Sequence, residues 1–112
     1  MKKAIVVTFS IGAEDTLERF IKAGVPRESV QVFFFQRDST ENLLNAIKKE
    51  RPQMTIINGK LHHRTVSDLC EDIEKVIGRQ DIDGRIYAFE APISVPGVEF
   101  VTLEETARIL LS

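Results

Sequence analysis

The densest group of side chains able to do chemistry is the run Asn58-Gly59-Lys60-Leu61-His62-His63-Arg64. Imidazoles ligate metals and move protons near neutral pH, and a lysine with an arginine can hold an anion. The spacing speaks against a metal. Adjacent histidines usually point their rings apart, and no third ligand stands at helical spacing from them. As catalytic bases they have no nucleophile partner in sequence. What remains is recognition of an anion or a partner by Lys60, His62 and Arg64, or a plain solvated loop ahead of a helix. A second run, Ser10-Ile11-Gly12-Ala13-Glu14-Asp15, places a hydroxyl and a glycine where a helix begins. Helix N-termini attract anions, but Glu14 and Asp15 would repel a phosphate there. A glycine permitting a tight strand-to-helix turn is the plainer account of Gly12.

Other conspicuous residues point to packing. The single cysteine, Cys70, excludes an internal disulfide and a cysteine-only metal cluster. It falls on an apolar helical stripe, where free cysteine packs as a small hydrophobe, and a lone thiol fits a reducing, cytoplasmic compartment. Phe33-Phe34-Phe35 would alternate between the two faces of a buried strand. Asp81-Ile82-Asp83-Gly84 hints at a calcium loop, lacks the remaining ligand positions, and reads as a turn. Glu90-Ala91-Pro92 could contain a cis peptide, which X-Pro bonds adopt in only ~5% of cases.

The elements that position these residues follow from hydrophobic periodicity. Ala4 to Phe9 is apolar with one threonine, the pattern of a strand buried on both faces. Ala13, Leu17, Phe20 and Ile21 form a helical stripe that Gly24 stops and Pro26 keeps from resuming. Val30 to Phe35 is a second strand. Asp38 with Glu41 predicts a capping box for a helix striped by Leu43, Leu44 and Ile47 and ended at Arg51-Pro52. Met54 to Ile57 is a third strand. Thr65 is expected to cap a helix striped by Val66, Leu69, Cys70, Ile73, Val76 and Ile77, with Gly78 as its stop. Ile86 to Phe89 and Val98 to Val101 are further strands. Thr102 with Glu105 caps a last helix carrying Leu103, Ala107, Leu110 and Leu111.

Strands alternating with helices imply a mainly parallel five-stranded sheet inside a three-layer α/β/α sandwich, with expected order 2-1-3-4-5. Only Glu90 to Gly97 separates the fourth and fifth strands, so the usual helix there is missing. A parallel return must cover about 17 Å, and eight extended residues reach roughly 27 Å. A helix-free parallel crossover is therefore possible, with an antiparallel edge strand as the alternative. In such sheets ligands bind beyond the carboxyl ends of the strands at the switch in strand order. That choice makes Ser10, Gly12, Asn58, Gly59, Lys60 and His62 the candidate ligand-binding residues.

This pattern resembles a response-regulator receiver domain. Pro52-Gln53-Met54-Thr55-Ile56-Ile57-Asn58-Gly59-Lys60-Leu61 is similar to the segment around that family's phosphoacceptor, with Asn58 at the aspartate position and Leu61 at the apolar one. The resemblance implies a flavodoxin-like fold and a signalling role. The departures are specific. Ser10-Ile11 stands where an acidic pair would hold magnesium, with Glu14 and Asp15 moved into the helix. The hydroxyl expected after the fourth strand is replaced around Phe89-Glu90, and the Lys-Pro expected after the fifth by Thr102-Leu103. Magnesium needs oxygen ligands, usually carboxylates, and an amide cannot form an acyl phosphate. What the resemblance then implies is a pseudo-receiver, an interaction module that has lost the switch. Thr8 to Thr16 is also similar, loosely, to the phosphate loop of flavodoxin, although the later loops offer few aromatics to sandwich a flavin.

Composition bounds the rest. The 112 residues are 43% hydrophobic and 29% charged, enough for one folded domain spanning 1–112 and against disorder. A net charge of −2 gives no reason to expect general nucleic-acid binding. No apolar run approaches the ~18 residues that span a membrane. No cofactor, no metal and no catalytic residue is assigned, and enzymatic activity is the less favoured outcome. The expected function is a non-catalytic, receiver-like module that binds a protein partner or a second copy of itself in the cytoplasm. The alternative is a small ligand-binding protein or enzyme using the loops after strands one and three. The expected interaction surface is Ile93, Val95, Pro96 and Phe100, left by the missing helix without cover. The last helix stops near Leu111, as in a short final helix or a domain of a longer signalling chain.

Overall fold

Short apolar runs become strands where Gly, Pro and polar residues bound them, and the longer amphipathic stretches become the helices that cover them. The computed structural model describes residues 2–9, 13–35 and 38–112, with the side chains of residues 13 and 14 outside the description. The strands are β1 (Ala4–Thr8), β2 (Val30–Phe34), β3 (Met54–Asn58), β4 (Arg85–Phe89) and β5 (Glu99–Phe100). The helices are α1 (Ala13–Lys22), α2 (Thr40–Glu50), α3 (His63–Arg79) and α4 (Leu103–Leu111). The sheet order is β2-β1-β3-β4-β5, with every neighbouring pair parallel. The short crossover is thus parallel. None of the described helices is long and apolar enough to cross a membrane.

Two cores flank the sheet, because β1 and β3 are buried along their whole length. On one face Ile5, Val7, Phe33 and Ile57 pack with Leu43 and Ile47 of α2 and Leu69, Cys70, Ile73 and Val76 of α3. On the other, Ala4, Val6 and Ile56 pack with Phe20 of α1 and Leu103, Ala107 and Leu110 of α4. The strand period of two explains the phenylalanine run: Phe33 and Phe35 both join the α2–α3 side, and Phe34 is half-buried.

Three helix ends differ from the sequence reading. Ser39 caps α2, its side chain accepting from the Asn42 N–H at 3.1 Å. Asp38 instead accepts from the Phe34 N–H at 2.7 Å, tying the loop back to β2. The α3 helix begins two residues before Thr65, capped by His62, whose Nδ1 accepts from the Arg64 N–H. Leu61, 4% exposed, anchors the chain in the core just ahead of it. Gly78 does not stop α3. One glycine costs a helix only about 1 kcal/mol, and the turn comes at Asp81, φ 50°. The box at Thr102 and Glu105 forms with both of its hydrogen bonds, and Gly24, φ 93°, ends the turn after α1.

The link from β4 to β5 folds back over the α2–α3 face. With no helix there, this segment is the available cover for the end of that core. Ile93, Val95 and Val98 pack half-buried against it. The exposed apolar surface expected at Ile93 and Val95 is reduced accordingly. Pro96 and Phe100 remain exposed, Phe100 at 47%.

Candidate functional site

Asn58 ends β3 at the carboxyl edge of the sheet and is buried, 6% exposed. Both ends of its amide are used. Nδ2 donates to Thr8 Oγ1 on neighbouring β1 at 3.1 Å, and Oδ1 accepts from the Lys60 N–H at 2.9 Å. Its backbone carbonyl accepts from the Leu61 N–H. The side chain thus joins two strands and sets the turn that follows, as asparagine does when it bonds the backbone two residues on.

Gly59 is required by space. Its N–H donates to Phe89 O at 2.9 Å, and the β4 exit then crosses directly above it. A Cβ on Gly59 would stand 1.8 Å from the Ala91 carbonyl oxygen. The crossing chain turns tightly there. The Ala91 N–H donates to Phe89 O at 2.8 Å around Glu90, which takes φ 68°. A non-glycine residue in the left-handed region is strained backbone, a kind that collects at functional positions. Arg19 of α1 holds this corner, reaching Glu90 at 3.5 Å and Glu104 of α4 at 3.1 Å. Its own backbone N–H and then Arg19 lower the pKa of the Glu104 carboxyl.

Thr8, Phe9, Asp15, Thr16, Arg19, Asn58, Lys60, Phe89 and Glu90 line an open depression of about 260 Å³. Of the candidate ligand-binding residues, Asn58 and Lys60 line this depression. Gly59 lies toward a separate cleft of about 160 Å³ with Leu61, His63 and Ile93. His62 is spent on capping α3 and is exposed. Ser10 and Gly12 lie outside the described residues. Thr8, Arg19 and Glu90 were not among the candidate ligand-binding residues, although Thr8 opens the flavodoxin-like loop and Glu90 stands where a receiver's hydroxyl is replaced. Beyond that, Thr8 is a lone hydroxyl in an apolar strand, and Arg19 is a polar position on an amphipathic helix.

The depression carries two acidic and two basic residues, so it favours neither strong anions nor strong cations. No group of three or more His, Cys, Asp or Glu able to hold a metal occurs among the described residues. The depression's two carboxylates come from Asp15 on α1 and Glu90 after β4, and the ends of β1 and β3 add none. The strand ends offer a threonine hydroxyl and an amide whose oxygen is already engaged by the Lys60 N–H, where magnesium takes carboxylates. Nor can a carboxamide take up a phosphoryl group as a carboxylate does. Cys70 lies elsewhere, in the core. Burial and the Glu74 charge push its thiol up to about 11, which keeps it unreactive at neutral pH.

Solved structures with the same architecture show which fold this is. A CheY-like protein, TadZ, from Pseudomonas aeruginosa PAO1 superposes with a TM-score of 0.58 at 19% identity, over 98% of this chain and 94% of that one. The fold is receiver-like. A 3-dehydroquinate dehydratase-like protein from Bifidobacterium longum superposes with a TM-score of 0.53 at 17% identity, over 99% of this chain and 98% of the other. At these identities the likeness is one of fold, and the second name shows that the fold alone does not select a chemistry. No protein-family model and no curated sequence matches the chain.

Proposed function

We propose that this chain is a non-catalytic, receiver-like module that acts in the cytoplasm through contact with a protein partner or a second copy of itself. The observation that carries the reading is Asn58. It occupies the end of β3, where a receiver carries its phosphoacceptor, and its amide is hydrogen-bonded on both sides. Thr8 and Phe9 end β1 without a carboxylate, and Phe89 and Glu90 occupy the β4 exit. The site thus joins strands and braces the crossing link, and Phe100 on the edge strand β5 offers exposed apolar surface for a partner.

Intact-mass spectrometry after incubation with acetyl phosphate and magnesium tests this reading. The expected result is an unchanged mass. An acid-labile gain of one phosphate would overturn it. The rival reading, a small-molecule site, rests on the polar depression at the same strand ends. Saturable binding of a metabolite that shifts the resonances of Thr8, Asn58 and Lys60 would favour it.

A further inference from the structure

A larger cavity than the one at Asn58 opens on the opposite side of the sheet. It measures about 310 Å³ and lies between the carboxyl end of β2, the first turn of α2 and the first half of α3. Its floor is apolar, from Val7, Phe33, Phe35, Leu43 and Leu69, and its rim carries Asp38, Asp68 and Asp72. No lysine, arginine or histidine is among the described residues that line it. Asp68 and Asp72 stand four residues apart on one stripe of α3. Neither has a cation within salt-bridge distance among the described residues. Asp38 spends one oxygen on the Phe34 N–H.

We infer that this groove binds a small organic cation, an ammonium group carried on an apolar or aromatic body. The body would lie on the phenylalanine and leucine floor and the ammonium against Asp68 and Asp72. The volume is at the small end of ligand cavities, ~300–1,000 Å³, enough for one ring and a short chain. An aromatic floor adds attraction for a cation at its face. The N-terminus of α2 opposes this with roughly half a positive charge, but three carboxylates outweigh it, and Ser39 already caps that end. An anionic ligand would meet the carboxylates directly. The inference is independent of the reading of Asn58, because the two cavities share no lining residue.

The test is a ¹⁵N NMR titration with phenethylammonium, 2-phenylethanol and 3-phenylpropionate, three probes of similar shape and different charge. The inference predicts saturable shifts centred on Phe33, Phe35 and Leu69 with phenethylammonium. Affinity should be about tenfold weaker for the alcohol, the scale of a partly desolvated ion pair with a cation–π contribution, and weaker still for the carboxylate. The Asp68→Asn/Asp72→Asn variant should lose that preference. Thr40→Lys, at an exposed position on the rim, should lose it too by placing a cation in the groove. No saturable binding of the ammonium, equal binding of the alcohol, or retention of the preference in a folded variant would overturn it.

Discussion

Asn58 is a buried polar side chain at the end of a mostly apolar strand, and its two hydrogen bonds are what make that burial tolerable. Removing them leaves the Thr8 hydroxyl and the Lys60 N–H without these partners. An unsatisfied buried polar group costs about 1–3 kcal/mol. Asn58→Ala should therefore lower the urea midpoint by an amount in that range, with the slope of the transition unchanged. A loss below about 0.5 kcal/mol, the range of surface substitutions, would mean that the amide does not tie β1 to β3. Arg19 makes a different contribution at the rim. The folded Glu104 carboxyl titrates below its ordinary value near 4.5 because its own backbone N–H and Arg19 favour the charged form. A depressed carboxylate stabilises the fold above the unfolded value, and the effect disappears as pH falls through the folded one. Glu104→Gln should therefore be less stable than the parent at pH 7, by a small margin because the group is exposed. The two should converge in acid below the folded value. Paired urea titrations across pH measure this.

The elements most easily read from sequence were those whose pattern is local. Five apolar runs and four amphipathic stretches suffice to order the sheet, because parallel crossovers leave few topologies. Thr102 with Glu105 is a complete capping signal and forms as written. Asp38 with Glu41 carries a similar local signal, but Asp38 is drawn to the Phe34 N–H and Ser39 takes the cap. His62 replaced Thr65 because the burial of Leu61 fixes where the chain enters α3. The corner at Gly59, Glu90 and Arg19 left little trace in sequence, since it depends on two strand exits meeting in space. Its clearest consequence belongs to the link between β4 and β5. The clash at Gly59 is with backbone and not with the movable end of a side chain. Gly59→Ala should thus exceed the ~1–3 kcal/mol usual for overpacking and shift the resonances of Ala91 to Val98. An alanine variant as stable as the parent would mean that the link does not cross there.

At the scale of the whole molecule, the missing helix thins one layer of the sandwich and leaves β5 as a short, open edge. The link covers the α2–α3 core only in part, through Ile93, Val95 and Val98, and Phe100 on β5 is among the large apolar side chains left exposed, with Ile21 and Leu111. On the proposed function this edge meets the partner or the second copy. Phe100→Asp should leave the thermal midpoint within a few degrees, as exposed substitutions do, and reduce association in sedimentation analysis at high protein concentration. An unfolded variant would mean that Phe100 belongs to the core, and unchanged association of a self-associating parent would remove β5 from the interface.

The central claim is that the strand ends form a braced joint and not a switch. The most direct measurement is a ¹⁵N-resolved NMR spectrum recorded with and without magnesium and acetyl phosphate, read at the backbone of Thr8, Asn58 and Ala88 and at the Asn58 side-chain amide. The account predicts superimposable spectra, because Asn58 offers an amide in place of an acceptor carboxylate and the ends of β1 and β3 carry no carboxylate for the metal. Saturable shifts centred on β1, β3 and β4 and spreading into β5 and α4 would contradict it.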